Sequence, residues 1–314
     1  MLDRYNRKID YLRISITDRC NLRCIYCMSE DEKFLNSINQ LSFEDFKKIL
    51  RPLKDLGIEK VKITGGEPLV REGVFDFIKD IKKDFKSVTI TTNGNYSLDK
   101  LKRLISTGVD GINVSIDTLD NLRYKQITRF GSIIPLEKNL KYLIENYKRL
   151  KINVVLIKGF NDDEIENFAN LSKDNNISVR FIELMPIGVA TNFLGVKRNY
   201  IIDVLEKKFG KSHSIDYKGN GPASYISFNN FKGRIGFIDA LNHKFCSECN
   251  RIRLDSYGNI ITCLHHHKKY PLREYLNDDD KLKRVLENLI YFKPEENKFL
   301  IDSMEENSMN KIGG

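Results

Sequence analysis

The six cysteines of this 314-residue chain fall into two groups of three, and the spacing differs between the groups. The first triplet, inside DRCNLRCIYCM, has the spacing C-x₃-C-x₂-C (Cys20, Cys24 and Cys27). The second triplet, inside FCSECNRIRLDSYGNIITCL, has the spacing C-x₂-C-x₁₃-C (Cys246, Cys249 and Cys263). A cubane iron–sulfur cluster normally takes four cysteine thiolates, so a triplet leaves one iron open to a small molecule. If each triplet holds such a cluster, the chain has two open irons, each able to bind a small molecule.

Disulfides and zinc are the alternative uses of these cysteines. A chain of this length can bury a core without disulfides. Its start, MLDRYNRKIDYLRIS, has no apolar segment of signal-peptide length, so we expect a reducing, cytoplasmic location, where clustered cysteines usually bind metal. For the first triplet, zinc would need a distant fourth ligand. For the second triplet zinc stays possible, with a fourth ligand from His243, His265, His266 or His267.

The charge balance is basic, with 52 Lys and Arg against 43 Asp and Glu, a net charge of +9. Such a surplus suits an anionic partner, either nucleic acid or a phosphorylated small molecule. Lysines on the outward faces of predicted helices account for most of it. The sequence has no basic stripe interleaved with aromatic residues, as single-strand binders have, and no run of about 20 apolar residues. We therefore expect neither a nucleic-acid partner nor a membrane partner.

Strand-like and helix-like segments alternate along the first part of the chain. Amphipathic helical stretches such as FEDFKKILRPLKDLG separate short β-rich runs (11–17, 60–64, 87–92, 111–116, 151–157 and 177–184). Six β/α units in a row predict a parallel sheet with crossover helices. We interpret the runs as apolar on both faces, as in strands that are buried on both sides.

Polar or glycine-rich residues follow each of the six predicted strands. In a barrel of β/α units the chemistry gathers at the carboxyl ends of the strands, so this regularity favours one shared mouth. We predict an α/β fold, an incomplete (β/α)6-type TIM barrel, over residues 1–185. Residues 186–314 would form a small β-rich region with a helix at about 199–209 and a helical tail beyond 271. This second region carries the second triplet and closes the open side of the barrel.

Two features, one within the first triplet and one after it, resemble the radical S-adenosylmethionine superfamily. One is the aromatic Tyr26 before the last cysteine, and the other is Gly65-Gly66-Glu67-Pro68, one β/α unit later. Further segments resemble the GTP 3′,8-cyclase family in the same order, from Arg7 to Gly314: YLRISITDRCNLRC, KITGGEP, VSIDTLD, RFIELMPIG, GPASY, FCSECNRIRLDS and the terminal IGG.

This resemblance implies an activity and its cofactors. Members of the family convert GTP to (8S)-3′,8-cyclo-7,8-dihydroguanosine 5′-triphosphate, the first step of molybdenum cofactor biosynthesis. A 5′-deoxyadenosyl radical takes the hydrogen from C3′ of the ribose, and C3′ then attacks C8 of guanine. The resemblance implies two [4Fe-4S] clusters and S-adenosylmethionine as cofactors, and a flavodoxin- or ferredoxin-like electron donor. A downstream cyclic pyranopterin monophosphate synthase would be a partner of the chain, which would be a monomer or homodimer.

The resemblance also implies residue roles. The first triplet would hold the cluster that binds S-adenosylmethionine, whose site would be lined by Tyr26, Gly66, Ser115 and Met185. The second triplet would hold an auxiliary cluster whose open iron meets guanine. Contacts to GTP would come from Arg13, Lys62 (often arginine in relatives), Thr91, Lys151, Arg180, Arg251, Ile252 and Arg253, and also from Lys60. Catalytic roles would fall to Arg13 and to the terminal Gly313 and Gly314, which would enter the catalytic cavity.

Two rival functions predict different sequence features. A radical enzyme that modifies peptides through an auxiliary cluster would have further cysteines in the C-terminal region, and this chain has none to spare. A zinc-stabilised nucleic-acid-binding protein would use the positive charge, but it leaves the GGEP segment and the twin glycine unexplained.

Overall fold

The computed structural model describes residues 1–34, 37–217, 219–239, 241, 245–264 and 268–296. Within these residues one sheet of twelve strands organises the molecule. The first half alternates strands and helices: β1 (Tyr11–Ser15), α1 (Phe43–Asp55), β2 (Lys60–Thr64), α2 (Val74–Lys82), β3 (Ser87–Thr92), α3 (Leu98–Ser106), β4 (Gly111–Ser115), α4 (Asn121–Thr128), α5 (Ile133–Asn146), β5 (Leu150–Val155), α6 (Ile165–Asp174) and β6 (Ser178–Ile182). The second half adds α7 (Arg198–Phe209), β7 (His213–Ile215), β8 (Ser224–Ser227), β9 (Arg234–Ile238), β10 (Arg251–Leu254), β11 (Asn259–Ile261), β12 (Tyr270–Pro271) and α8 (Asp279–Tyr291).

Local capping explains where several helices begin. At α1 the Ser42 hydroxyl accepts from the Asp45 N–H at 3.0 Å, and the Asp45 carboxylate accepts from the Ser42 N–H at 3.1 Å. This reciprocal pair satisfies two of the amide donors that every helix start leaves open. Ser97 caps α3 and Asp278 caps α8 in the simpler one-sided way.

The sheet runs in the order β12-β11-β10-β1-β2-β3-β4-β5-β6-β9-β8-β7. The central strands, from β10 through β1–β6 to β9, all pair in parallel. The C-terminal region therefore extends the parallel sheet at both edges, with β10 beside β1 and β9 beside β6. The remaining strands add antiparallel pairs outside them. The α/β partial-barrel fold is confirmed, with this mixed C-terminal β region.

The two faces of the parallel strands differ in character. The face toward the helices carries buried apolar side chains: Leu12, Ile14, Val61, Ile63, Val88, Ile90, Ile112, Val114, Ile152, Val154, Val179 and Phe181. The opposite face carries polar or charged side chains, and in the register Arg13 stands between Arg253 and Lys62, and Asn153 beside Arg180. The expectation of strands that are apolar on both faces was therefore wrong, because the inner face lines a cavity and not a second apolar layer.

The described helices include none that is both long enough and apolar enough to span a bilayer. The boundary between residues 185 and 186 stays a prediction.

Candidate active site

A large cavity, of about 310 Å³, opens on the polar inner face of the sheet, and all six cysteines line it. Each of the eight parallel strands contributes to its wall: Arg13 from β1, Lys62 from β2, Thr91 from β3, Ser115 from β4, Asn153 from β5, Arg180 from β6, Ile238 from β9 and Arg251 from β10. The predicted cofactor residues Tyr26, Gly66 and Met185 also line this cavity. The shared mouth expected from the strand ends is therefore present.

The first triplet lies in the loop after β1. Its cysteines form no disulfide and are half-buried, and the backbone amides of Cys27 and Met28 donate to the Cys24 carbonyl at 2.9 and 3.3 Å. Burial raises the pKa of Cys24 well above its ordinary value, and the neighbouring Cys27, Asp117 and Cys20 raise it further. Three thiols that interact in this way, at the edge of one cavity, are a donor set suited to a cluster with one open iron.

The two glycines after β2 allow the loop after β2 to lie close to the cysteine loop after β1. A Cβ on Gly65 would stand 2.5 Å from the Thr17 carbonyl oxygen, and one on Gly66 would meet the carbonyl oxygens of Arg19 and, at 2.6 Å, Asp18. In place of side chains there are two backbone hydrogen bonds, from Gly66 N–H to Thr17 at 2.7 Å and from Glu67 N–H to Arg19 at 2.8 Å. The two glycines thus bring the loop after β2 against the cysteine loop.

Glu67 is a site residue for which the sequence analysis gave no role. Its side chain is 1% exposed and accepts from Leu69 N–H at 3.0 Å, Thr92 Oγ1 at 2.8 Å and Asn93 N–H at 2.7 Å. Burial raises the pKa of Glu67 to about 7. The side-chain amide Nδ2 of Asn93 in turn donates to Asn21 Oδ1 at 2.8 Å and to Cys20 Sγ at 3.7 Å. Glu67 therefore orients, through Asn93, the first cysteine of the triplet.

Asp117 is a second such residue, at the end of β4. The Tyr26 hydroxyl donates to its Oδ2 at 2.7 Å, and the Val155 amide donates to its Oδ1 at 2.8 Å. Burial raises the pKa of Asp117 to about 6. The sequence does offer a signal for Asp117, because it follows Ser115 by two residues, among the polar residues that come after a predicted strand. Asp117 ties the cysteine loop to the ends of β4 and β5.

The second triplet faces the same cavity from the loops on either side of β10 and β11. Burial alone would raise the pKa of Cys249, but Lys293 and Arg251 outweigh it and lower that pKa to about 7. The histidines that could complete a zinc site, His243 and His265–His267, lie outside the described residues. Among the residues that are described, no three His, Cys, Asp or Glu side chains form a group that could hold a single metal ion.

Five cations line the same cavity as the two triplets (Arg13, Lys62, Arg180, Arg251 and Arg253). Burial lowers the pKa of Lys62 well below its ordinary value, and Arg180, Arg13, Lys151 and Arg251 lower it further. The pKa of Arg253 falls for the same reasons, first burial and then Arg13 and Arg251. Like charges held together out of water are costly, and a bound polyanion would relieve the cost.

Other predicted residues lie around or beyond this group. The Lys151 ammonium lies 5.4 Å from the Tyr217 ring centre, and burial, with Arg180 and Arg234, lowers its pKa to about 8. Ile252 is 1% exposed and packs in the core on the opposite face of β10. Lys60 forms a salt bridge with Asp10 at 2.9 Å, at the start of β2. Gly313 and Gly314 lie outside the described residues.

Comparison with known proteins gives two family matches and many close relatives. The Radical SAM superfamily model matches residues 14–172, and the Molybdenum Cofactor Synthesis C model matches residues 177–299. A GTP 3′,8-cyclase of Clostridium perfringens (strain 13 / Type A) is 42% identical over 323 residues, covering 100% of both chains. That of Petrotoga mobilis is 39% identical over 327 residues, again covering 100% of both. The chain belongs to the GTP 3′,8-cyclase family of radical S-adenosylmethionine enzymes.

The fold of this family member also has a likeness among solved structures. The crystal structure of Streptococcus suis SuiB bound to precursor peptide SuiA gives a TM-score of 0.66 at 17% identity, covering 96% of this chain and 68% of that one. The likeness extends to SuiB bound to S-adenosylmethionine, with a TM-score of 0.61. At this identity it shows the fold alone.

The residues present fit the cofactors that membership of the GTP 3′,8-cyclase family implies. Each triplet places three cysteines, none of them in a disulfide, on the wall of one cavity. The glycine-rich turn at Gly65 and Gly66 leaves main chain without side chains at its edge. The predicted family, and with it the radical S-adenosylmethionine chemistry, is confirmed.

Proposed function

We propose that this chain converts GTP to (8S)-3′,8-cyclo-7,8-dihydroguanosine 5′-triphosphate in the first step of molybdenum cofactor biosynthesis. The observation that carries the proposal is that two cysteine triplets and a group of partly buried cations line one cavity. A site for S-adenosylmethionine alone has no need of the second triplet or of so many cations. A triphosphate needs both a positively charged surface and a fixed position for its nucleoside.

In this proposal the two triplets hold two [4Fe-4S] clusters. The first triplet would bind the cluster that carries S-adenosylmethionine, with Tyr26, Gly66, Ser115 and Met185 around that cofactor. The second would bind the auxiliary cluster beside the guanine. When bound, these groups supply a 5′-deoxyadenosyl radical that can take the hydrogen from C3′ of the ribose.

The chain's own residues bind and orient GTP. Lys62, Arg180 and Arg13 would bind the triphosphate, because their charges already converge in a buried space. Arg251 and Arg253 lie on the same face of β10, beside the second triplet, and would hold the nucleotide there. The apolar side chains of Leu22, Leu184 and Leu264 also line the cavity and would help to exclude water from the reacting atoms. The proposed effect is that of positioning, which converts an encounter into a step within one complex.

Beyond GTP, we propose a flavodoxin- or ferredoxin-like reductant and a downstream cyclic pyranopterin monophosphate synthase as partners, with the chain acting as a monomer or homodimer.

Anaerobic reconstitution followed by turnover tests the function. The reconstituted chain should bind about eight irons. With GTP, S-adenosylmethionine and dithionite it should form the cyclised nucleotide together with 5′-deoxyadenosine. With GTP deuterated at C3′, the deuterium should appear in 5′-deoxyadenosine. A chain that binds zinc at the second triplet, or that forms 5′-deoxyadenosine without consuming GTP, would contradict the proposal.

A pair of variants on β2 tests the nucleotide site. Lys62→Met removes a cation that faces the cavity, and the loss of one charge-assisted contact, about 1.5–3 kcal/mol, should weaken GTP binding about 10- to 150-fold. Lys60→Met changes the same residue type two positions earlier, where the ammonium is paired with Asp10. GTP should therefore bind to Lys60→Met with little change in affinity. Equal weakening of GTP binding in both variants would contradict a direct contact between Lys62 and the triphosphate.

A further inference from the structure

Two buried cations close to the second triplet have no part in the proposed function. Arg7 is 7% exposed and Lys293 is 2% exposed. Arginine and lysine are rarely buried to this degree unless a partner compensates their charge. The groups around each cation therefore indicate its role.

Arg7 connects the N-terminal segment to the second triplet and to the segment that follows α8. Its guanidinium donates to the Asp3 carboxylate at 2.6 and 2.7 Å, so that its own charge is compensated. The same guanidinium donates to the carbonyl oxygen of Cys246 at 2.9 Å, and to those of Pro294 and Glu295, each at 2.6 Å. Arg7 thus fixes the main chain at the first cysteine of the triplet.

Lys293 holds the main chain next to the third cysteine of the triplet. Its ammonium donates to the Thr262 carbonyl oxygen at 2.5 Å, one residue before Cys263. Among the described residues Lys293 takes part in no salt bridge with a carboxylate, so its buried ammonium places a positive charge one residue from Cys263.

We propose that Arg7 and Lys293 are positioning residues of the second triplet, which hold its backbone and place positive charge beside the thiolates of a bound cluster. The inference deepens the proposed function, because it assumes that this triplet holds an iron–sulfur cluster. Two separate segments, one N-terminal and one after α8, would then support the same metal centre. Cysteine ligands at residues 246 and 263 would have their main chain fixed by these two cations.

Two effects follow for a cluster held there. Residues that hydrogen-bond to the ligands of a metal fix the ligand geometry before the metal binds. Their loss usually lowers metal affinity about 10- to 100-fold. A buried positive charge also favours the more reduced, more negative state of a cluster, and so raises its reduction potential. Arg7, paired with Asp3, should act mainly through geometry, whereas Lys293 should act through both geometry and charge.

The experiment isolates each cluster in the full-length chain. In one background the first triplet is replaced by alanine, and in the other the second triplet is replaced. After anaerobic reconstitution, iron loss to a chelator and the midpoint potential are measured for Lys293→Met, for Arg7→Lys and for Lys283→Met. Lys283 is an exposed lysine on α8 and serves as the matched control.

In the background that keeps the second triplet, Lys293→Met should lose iron about 10- to 100-fold faster than the Lys283→Met control and show a more negative potential. Arg7→Lys keeps the charge but loses the forked geometry that reaches several carbonyl oxygens at once. It should lose iron faster with little change in potential. In the background that keeps the first triplet, all three variants should match their parent in both measurements.

Two results would overturn the inference. One is iron loss and potential at the second triplet that are the same in Lys293→Met and Lys283→Met. The other is an equal effect on both clusters, which would indicate general destabilisation of the chain. If the unmodified second triplet holds zinc or no iron, the proposed function fails together with this inference. If it holds about four irons that are indifferent to Lys293, only this inference fails.

Discussion

Replacement of Gly66 by alanine should separate the loop after β2 from the first cysteine loop. The new Cβ would meet the carbonyl oxygens of Arg19 and, at 2.6 Å, Asp18, together with the carbonyl carbon of Arg19. These are backbone atoms, so no side chain can rotate away to make room. Gly66 does not have a positive φ, so the expected effect is steric and owes nothing to left-handed backbone strain.

The size of the effect follows from the contacts that must change. Overpacking of this kind costs about 1–3 kcal/mol. If the loops separate, the bonds from Gly66 N–H to Thr17 and from Glu67 N–H to Arg19 are also lost, at about 1 kcal/mol each. Gly66→Ala should therefore lower the free energy of unfolding by about 3–5 kcal/mol. It should also reduce the iron held by the first triplet more than that held by the second.

Urea-induced unfolding of the metal-free chain measures the first effect, because iron content does not then enter. Gly221→Ala is the stability control, since a Cβ there would meet nothing within 4 Å and the backbone is not left-handed. Its effect should stay below about 1 kcal/mol. A Gly66→Ala chain within about 1 kcal/mol of its parent, with the first cluster retained, would show that the two loops do not approach as closely as argued.

Three further predictions concern charge and positioning. Lys62→Met should raise the unfolding free energy of the ligand-free chain by about 1–2 kcal/mol in urea, because it removes one of several buried like charges; a decrease would contradict this. The pKa of Lys151 is lowered to about 8, so the unfolded chain binds more protons above that pH. Stability should therefore rise with pH from about 8 to 10.5, and urea unfolding of Lys151→Met should lack that part of the rise. In a double-mutant cycle, Tyr26→Phe and Asp117→Ala should show a coupling of about 1–3 kcal/mol in unfolding free energy, and additive effects would contradict their hydrogen bond.

Much of the fold could be predicted from local sequence. The strand at 60–64 and the strand at 87–92 have the predicted bounds, because β-branched residues and flanking turns mark them. The shared mouth was predictable for a geometric reason, since parallel strands place their carboxyl ends at one edge. The pairing of β10 with β1 was not predictable, because it joins segments about 240 residues apart with no local signal for the partner.

The polar inner face was visible in the sequence but was misinterpreted. In KVKIT the lysines alternate with buried Val61 and Ile63, and β1 shows the same alternation around Arg13. Period-two alternation means that the two faces of a strand meet different surroundings. Here the surroundings are helices on one side and a cavity on the other, so the alternation itself indicated a binding site inside the barrel.

The roles of Glu67 and Asp117 could not come from motif spacing, because each depends on contacts between loops that are distant in sequence. Glu67 accepts from the loop after β3, and Asp117 accepts from Tyr26 and from the end of β5. What the sequence offers is only a carboxylate near a strand end. Burial of that carboxylate, which raises its pKa, becomes visible once the strands are assembled.

The arrangement of charges links the second triplet to the substrate site. Removal from water, and then Arg13 and Arg251, lower the pKa of Arg253, whereas Cys263 and Cys249 act in the opposite direction. The thiolates of the second triplet therefore compensate the same group of cations that a triphosphate would compensate. The apolar face of the sheet packs against helices, so these charged side chains are confined to the face that lines the cavity. If the proposed function holds, metal bound at the second triplet should change the affinity for a nucleotide at Arg13 and Lys62, because both ligands would act on the same group of cations.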